Sequence, residues 1–271
     1  MSADFPGRWV SACTGLRDRL RVNCPDVVIP TTGDRLAVIV EMRNDPFLEV
    51  VMEIYIRQLA GRGWRFCLVH GTANRELANQ IQGRWPGLET LYLNVDNFTV
   101  KKYNRYLLSP RTFWDLLPGA PRVILRFELD TVLISGDLDK FCAYEYVGAP
   151  WHPRMNWAKP NGRVGNGGLT IRSVEAMVRA IKMRWTPAFT GNEDGFFSVL
   201  CQDILEFAPV EVAREFAVES WAIEDGPVPC GFHKPWQQLG ERAMTRIYKI
   251  LNTVHPVVGQ LEGGLASSTS A

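Results

Sequence analysis

The stretch Val123-Ile-Leu-Arg-Phe-Glu-Leu-Asp130 is a short, mostly apolar run that ends in two carboxylates. A run of this kind is typical of a strand buried inside a parallel sheet. Similar runs lie at residues 36–40, 64–69 and 91–95, and helical patterns lie at 47–60, 74–82 and 101–117. Alternation of apolar strands with helices predicts an α/β fold, in which helices cover both faces of a mostly parallel sheet.

The second half of the chain is less regular. A short helix is expected at 138–143, strands at 146–148, 169–172 and 216–220, and helices at 173–184, 194–204 and 239–252. We find no internal repeat and no linker. The pattern therefore predicts one domain over residues 34–255, after an irregular surface lead-in at 1–33 and before a disordered, Gly- and Ser-rich tail at 256–271.

Composition restricts the kinds of partner. The 30 basic and 29 acidic residues nearly cancel, so no global positive field is available to recruit nucleic acid or an anionic membrane. No apolar run reaches the roughly 18–20 residues of a membrane span, and the first ten residues lack the apolar core of a signal peptide. Six scattered cysteines without a C-x-x-C pair argue against a zinc site. We expect a soluble, cytoplasmic protein that acts through a local site.

The acids Glu128 and Asp130 end the quoted strand, where an α/β sheet presents its ligands. Residues two apart point to the same face if the strand continues. Paired carboxylates bind Mg²⁺ or Mn²⁺, which then bridges phosphate oxygens. The alternative is two solvated acids in a loop.

A glycine loop follows in Val164-Gly-Asn-Gly-Gly-Leu169. Three glycines in four positions allow the backbone to approach a ligand closely, although a tight turn before a strand would use them equally well. No Lys-Ser/Thr follows, as a P-loop requires, and the next element is a strand rather than the helix of a dinucleotide fingerprint.

Two more segments carry candidate chemistry. Asn192 is a good N-cap for the predicted helix, and Glu193 and Asp194 suit its first turn or serve as catalytic carboxylates. His233 lies in a loop, where it is a ligand for a divalent ion or a structural histidine, and Lys234 beside it can neutralise phosphate.

The order of these motifs resembles that of the nucleotide-sugar-dependent glycosyltransferases of the GT-A fold, and most closely an uncharacterised branch of them. The blocks that carry the resemblance are Val40-Glu-Met-Arg43, Tyr103-Asn104, Tyr146-Val-Gly-Ala-Pro-Trp151, Val164-Gly-Asn-Gly-Gly-Leu-Thr-Ile-Arg-Ser173, Asn192-Glu-Asp-Gly-Phe-Phe-Ser198 and Gly231-Phe-His-Lys-Pro-Trp236. The resemblance implies a Rossmann-like, mostly parallel central sheet flanked by helices, with a less regular acceptor-side second half. It also implies transfer of a sugar from a nucleotide-diphosphate donor to a hydroxyl of a glycan, lipid or protein acceptor.

The resemblance implies roles for individual residues. Asp130 and His233 would be ligands to Mn²⁺ or Mg²⁺, and Asp194, beside Glu193, would be the general base if the reaction inverts. The implied donor-binding positions are Glu41, Arg43, Asn104, Glu128, Asn166, Gly167, Gly168 and Lys234. Glu-Leu-Asp replaces the usual Asp-x-Asp, which leaves the geometry at Glu128 open. The helix N-terminus predicts a lowered pKa for Asp194.

Two other functions stay open. A sugar nucleotidyltransferase would have a basic, Gly-rich loop after the first strand, whereas residues 41–46 contain no glycine. A non-catalytic module that binds nucleotides or glycans would keep the fold without turnover. In the loop after residue 150, Trp151, His152 and Trp157 are candidates for a sugar platform or for packing of the loop onto the core.

Overall fold

The computed structural model of the protein describes residues 5–109, 112–158, 163–222 and 226–253, without the side chains of Phe5 and Trp157. Its strands are β1 (Arg35–Val40), β2 (Trp64–His70), β3 (Glu89–Tyr92), β4 (Val123–Phe127), β5 (Thr131–Leu133), β6 (Tyr146–Gly148), β7 (Pro150–Trp151), β8 (Arg163–Val164), β9 (Leu169–Ser173), β10 (Ala217–Val218) and β11 (Gly231–His233). Its α-helices are α1 (Phe5–Asn23), α2 (Phe47–Gln58), α3 (Arg75–Arg84), α4 (Val100–Leu108), α5 (Val174–Arg184), α6 (Glu193–Gly195), α7 (Val210–Phe216) and α8 (Glu241–Thr253).

The central sheet has six strands in the order β3-β2-β1-β4-β9-β6. The pairs from β3 to β4 are parallel, and β9 runs antiparallel to both of its neighbours. Side chains along β2 and β4 are buried throughout, and those of β1 nearly so, because helices cover both faces. The predicted α/β architecture with a mostly parallel sheet is confirmed.

A small second sheet has the order β10-β11-β5. It brings residues 217–233 next to the segment that follows β4. Strand β5 begins four residues after β4 ends, and it pairs antiparallel with β11 so that Thr131 lies opposite His233. Helix α2 packs against the junction of β4 and β5. Its Tyr55 hydroxyl lies 2.7 Å from the Thr131 hydroxyl, and the Tyr55 ring stacks on Phe127. This junction carries the residues of the candidate site.

The prediction of an irregular lead-in over residues 1–33 is wrong within residues 5–23, which form helix α1. Its buried face consists of Trp9, Cys13, Leu16 and Leu20, at the spacing of an amphipathic helix. This face packs against α2 and α8. A proline in the first helical turn is tolerated, so Pro6 did not mark irregular structure. The predicted tail at 256–271 lies outside the described residues.

Other predicted elements differ in detail. Strand β3 begins and ends a few residues earlier than expected, because this half-exposed edge strand lacks a strong apolar pattern. Helix α7 was not predicted. Helix α4 ends at Leu108, so it covers only the first part of the helical pattern at 101–117, and residues 110 and 111 lie outside the description. Of the helices described, none combines the length and the apolar character that a membrane span requires.

Candidate active site

A cluster of two carboxylates and one imidazole lies at the carboxyl end of β4. One ligand atom each from Glu128, Asp130 and His233 lies within 4.8 Å of the others. The His233 Nε2 atom is 3.3 Å from Asp130 Oδ1 and 3.7 Å from Glu128 Oε2. The β5–β11 pairing, together with a bond from the Lys234 amide to the Asp130 carbonyl at 2.9 Å, brings these distant segments together. The resemblance to GT-A glycosyltransferases implies such a convergence of Asp130 and His233.

Three atoms of the cluster are buried and have no hydrogen-bond partner among the described residues: Asp130 Oδ1 and both ring nitrogens of His233, Nδ1 and Nε2. Buried polar atoms without a partner are rare in proteins and point to a missing water or ion. Burial raises the pKa of Asp130, but His233 and Lys234 outweigh it and leave the pKa below its ordinary value. Carboxylate oxygens and imidazole nitrogen suit Mn²⁺ and Mg²⁺, so these residues fit a divalent cation.

A pocket of about 300 Å³ opens beside the cluster, between the ends of β1 and β4. Its lining includes Glu41, Arg43, Phe98, Tyr103, Glu128 and Asp130. The buried Glu41 carboxylate accepts bonds from the Arg43 amide and Nε at 2.8 Å and from Nη2 at 2.6 Å. The predicted donor positions Glu41 and Arg43 therefore lie next to the predicted metal ligands. Lys234 Nζ lies 3.9 Å from Asp130 Oδ2.

A buried ion-pair network lies behind the cluster. Arg126 on β4 and Arg172 on β9 share one face of the sheet, and both are almost fully buried. They hold the Glu193 carboxylate at 3.0 Å from Arg126 Nη1 and 2.9 Å from Arg172 Nη1. Burial raises the pKa of Glu193, but the two guanidinium groups outweigh it, so the pKa stays below its ordinary value. Such a carboxylate is a positioning group rather than a proton acceptor.

The same network reaches the donor pocket. Arg126 Nη2 bonds to the Glu128 carboxylate and, at 2.6 Å, to the Tyr103 hydroxyl. The Asn104 side chain accepts a bond from the Glu193 amide at 2.8 Å and donates to the Val100 carbonyl at 2.9 Å. The described contacts of Asn104 thus connect α4 to α6, and its predicted part in donor binding stays a prediction.

Asp194 follows Glu193 in the three-residue helix α6, and its Oδ1 accepts a bond from the Gly195 amide at 2.7 Å. Burial, followed by the negative charge of Glu193, raises the pKa of Asp194 above its ordinary value. The predicted lowering is therefore wrong. The helix is too short for a strong dipole and continues as a π-turn over Phe196–Leu200, so burial decides the direction.

The glycine loop makes room for protein side chains. A Cβ atom at Gly167 would lie 2.3 Å from Glu193 Oε1, and one at Gly168 would lie 2.3 Å from His233 Nε2. Asn166, at a positive φ of 29°, accepts a bond from the Gly168 amide on its Oδ1 at 3.0 Å. The loop therefore lies against the site, although contacts of Asn166, Gly167 and Gly168 with a donor stay a prediction.

The three candidates for a sugar platform, Trp151, His152 and Trp157, differ in their surroundings. Trp151 is buried, and a Cβ atom at Gly165 would meet its ring at 2.6 Å, so this indole packs the loop onto the core. His152 lies against Trp221, with ring centroids 5.3 Å apart. The side chain of Trp157 is outside the description.

Sequence reasoning missed three residues of the site. Arg126 and Arg172 are each the single charged residue of a buried strand, and that charge was the available signal. Glu219 directly follows β10, and its Oε1 lies 3.4 Å from His233 Nδ1. Burial raises the pKa of Glu219, while His233 and a hydrogen bond from Asn166 lower it in part. Glu219 follows a strand of only two residues, which is too short to show a periodic pattern in the sequence.

Comparison with known proteins identifies a family and a fold. A family model described as "Protein of unknown function (DUF5672)" matches residues 87–233, more than half of the chain. No curated protein matches the sequence. Mouse xyloside xylosyltransferase 1, in its apo form, is 12% identical with a TM-score of 0.51, and the match covers 78% of this chain and 100% of that one. This similarity shows that the fold is the GT-A glycosyltransferase fold.

Two bacterial or archaeal structures are less similar. The mannosyltransferase PcManGT from Pyrobaculum calidifontis, in complex with GDP-Man and Mn²⁺, is 11% identical with a TM-score of 0.46, over 75% of this chain and 63% of that one. The glycosyltransferase GlyE from Streptococcus pneumoniae TIGR4 is 12% identical with a TM-score of 0.49, over 82% and 61%. The match spans about three fifths of the length of these two proteins.

Proposed function

This chain belongs to the DUF5672 family, and we propose that it is a glycosyltransferase that moves a sugar from a nucleotide-diphosphate donor to an acceptor hydroxyl. One observation carries the proposal. Glu128, Asp130 and His233 converge at the carboxyl edge of a GT-A sheet, next to a pocket headed by Glu41 and Arg43. Ligands of open α/β sheets bind at this edge.

The pocket supports binding of the donor. Glu41 and Arg43 offer charged hydrogen-bonding groups for the nucleotide, and Phe98 and Tyr103 provide aromatic wall for its base or ribose. Lys234, beside Asp130, brings a positive charge for the diphosphate. Asp130 and His233, with Glu128, would hold Mn²⁺ or Mg²⁺. Such an ion, when bound, stabilises the charge of the leaving nucleotide diphosphate.

Asp194 is the proposed general base of an inverting transfer. The bond between the anomeric carbon and the diphosphate oxygen breaks, the acceptor oxygen bonds to that carbon, and the hydroxyl proton passes to Asp194. A raised pKa makes this carboxylate a stronger base than an ordinary aspartate. Glu193, held by Arg126 and Arg172, positions Asp194. In a retaining reaction Asp194 would orient the acceptor hydroxyl instead.

The test begins with thermal unfolding in the presence of UDP-, GDP-, CMP- and dTDP-sugars, each with and without Mn²⁺. We expect one nucleotide class to raise the melting temperature and Mn²⁺ to increase that shift. We then expect the wild-type protein to hydrolyse this donor slowly, and Asp194→Ala to lose the activity while keeping the donor-induced shift.

Two results would replace the proposal. Donor binding without hydrolysis, and without transfer to any acceptor in a glycan, lipid and peptide panel, would indicate a non-catalytic binding module. Release of pyrophosphate from a nucleoside triphosphate and a sugar phosphate would indicate a nucleotidyltransferase.

A further inference from the structure

The carboxyl group of Glu219 faces the side of His233 that points away from Asp130. Parallel pairing of Val218 with Phe232 places the next residues, Glu219 and His233, side by side at the ends of their strands. Glu219 Oε1 lies 3.4 Å from Nδ1, whereas Asp130 Oδ1 lies 3.3 Å from Nε2. Both residues of the Glu219–His233 pair are buried, at 9% and 3% exposure. The imidazole therefore lies between the carboxylate of Glu219 on one side and those of Asp130 and Glu128 on the other.

The chemistry of imidazole makes this arrangement directional. A neutral imidazole has one N–H, and the other nitrogen must present its lone pair to bind a cation. The Nε2 atom faces the Asp130 and Glu128 oxygens that fit a divalent ion, so the proton belongs on Nδ1. Nδ1 is buried without a hydrogen-bond partner among the described residues, and Glu219 Oε1 lies 3.4 Å from it. This carboxylate oxygen is therefore placed to accept the Nδ1 proton. Metal-bound histidines commonly donate their second N–H to a carboxylate in this way.

Glu219 is itself held from the glycine loop. The Asn166 side chain lowers the pKa of Glu219 in part, and its Oδ1 accepts a bond from the Gly168 amide at 3.0 Å. Gly168 lies against the imidazole, so that a Cβ atom there would fall 2.4 Å from Cε1 of His233. Asn166, Gly168 and Glu219 thus pack as one unit around the imidazole of His233. With Gly168, Glu219 and Asp130 all beside it, the ring has little freedom to turn its Nε2 away from Asp130.

We propose that Glu219 is a positioning residue that accepts a hydrogen bond from Nδ1–H of His233, and so keeps Nε2 unprotonated and aimed at a divalent cation. The inference rests on the proposed function for the identity of the site. It adds a residue that has no direct contact with the cation or the donor. Glu219 would act on the site by setting the tautomer and the orientation of the His233 imidazole.

The test compares Glu219→Ala and Glu219→Gln with a matched control, Glu211→Gln, an exposed acid on α7. Binding of Mn²⁺ alone is measured by electron paramagnetic resonance of the free ion. The His233 tautomer is read from ¹⁵N shifts of histidine-labelled protein without metal, with the signal assigned by its loss in His233→Gln among four histidines. Thermal unfolding checks that each variant is folded.

In the wild type we expect the Nδ1–H tautomer. We expect Glu219→Ala to weaken Mn²⁺ binding by about 10–100-fold, the usual effect of losing such an outer partner. Glu219→Gln should be intermediate, because a neutral amide oxygen is a weaker acceptor. Both variants should shift His233 toward the Nε2–H tautomer, and Glu211→Gln should change neither measurement. If the alanine variant does not fold, the glutamine variant decides.

A folded Glu219 variant with wild-type Mn²⁺ affinity and an unchanged tautomer would overturn the inference. The proposed function fails separately. If the wild type binds no Mn²⁺, or if Asp130→Ala binds it as tightly as the wild type, the cation site is wrong, while the metal-free tautomer still tests Glu219. If Asp130→Ala abolishes binding and Glu219→Ala does not affect it, only the role of Glu219 is wrong.

Discussion

Gly168 and His233 are in direct contact across the mouth of the sheet. A Cβ atom at residue 168 would lie 2.3 Å from Nε2 of the imidazole, closer than side-chain atoms approach in folded proteins. The glycine is therefore required by the histidine, which lies 65 positions later in the sequence. The relationship explains why a glycine-rich loop precedes β9 without matching a phosphate-binding motif. The loop makes room for the imidazole of His233, the proposed metal ligand.

Gly168→Ala should displace the imidazole, because the added methyl group overlaps a ring that is buried on all sides. We expect the apparent Mn²⁺ affinity to fall at least about tenfold, as it does when outer-shell support is lost. Gly83→Ala, within helix α3, is the matched control. Among the described residues no atom lies within 4 Å of a Cβ atom at Gly83. Titration with Mn²⁺ measures both variants, and equal affinities would show that the contact does not position the ring.

Glu193→Gln should destabilise the protein strongly. It leaves Arg126 and Arg172, which are 1% and 0% exposed, without their shared carboxylate. Breaking a buried ion pair in this way costs about 3–5 kcal/mol of unfolding free energy. Urea unfolding measures the change. The control is Glu215→Gln, which removes an exposed ion pair with Lys140 and should cost less than about 1 kcal/mol. Similar losses in the two variants would contradict the structural role of Glu193.

Asp194 should make the protein less stable at neutral pH. Its pKa is raised in the folded state, so the folded protein binds this proton more readily than the unfolded chain does. The associated stability is therefore full below the unfolded pKa and is lost as pH rises through the folded pKa. Asp194→Asn should raise the unfolding free energy at pH 7, and the gain should shrink as the pH falls below the folded pKa.

The same substitution should reduce kcat about 10²–10⁴-fold, the usual contribution of a general base. Asp115→Asn, at an exposed surface turn, serves as the control for both measurements. A variant at Asp194 that is more stable yet fully active would show that this carboxylate is buried for another reason.

Glu41→Ala should weaken donor binding without slowing the chemical step. The carboxylate holds Arg43 through three bonds, and the described residues that line this pocket do not include Asp194. Losing it should raise the donor KM by roughly tenfold, equivalent to about 1.4 kcal/mol, with kcat changed little. Steady-state kinetics with the donor found by thermal unfolding measures both constants. Glu49→Gln, which removes a pair with Arg84 outside this pocket, should leave them unchanged. A fall in kcat alone would place Glu41 at the reacting centre.

Local sequence pattern was sufficient for the part of the fold that builds the sheet. Strands such as β1, β2 and β4 are apolar along their length, and their burial on both faces explains why the pattern was readable. The acids after β4 were selected as candidates because ligands of α/β sheets gather where strands end. The late histidine was selected through the family resemblance, and the structure brings it next to these acids.

The remaining features depend on contacts between distant residues. Glu219 meets His233 only because two very short strands pair, and a two-residue strand has no periodicity to detect. Glu193 lies between the buried Arg126 and Arg172 and pairs with both, which no local pattern can show. The direction of the Asp194 pKa likewise follows from burial and a neighbouring charge rather than from its place in a helix.

The most direct test of the account is the anomalous scattering of Mn²⁺ in crystals of the protein grown with a nucleoside diphosphate. We predict one strong peak between Asp130 Oδ1 and His233 Nε2, with Glu128 beside it and the nucleotide in the pocket of Glu41 and Arg43. A nucleotide bound there with no peak at the cluster, or a Mn²⁺ ion elsewhere while Asp130 and His233 bond only to each other, would contradict the account.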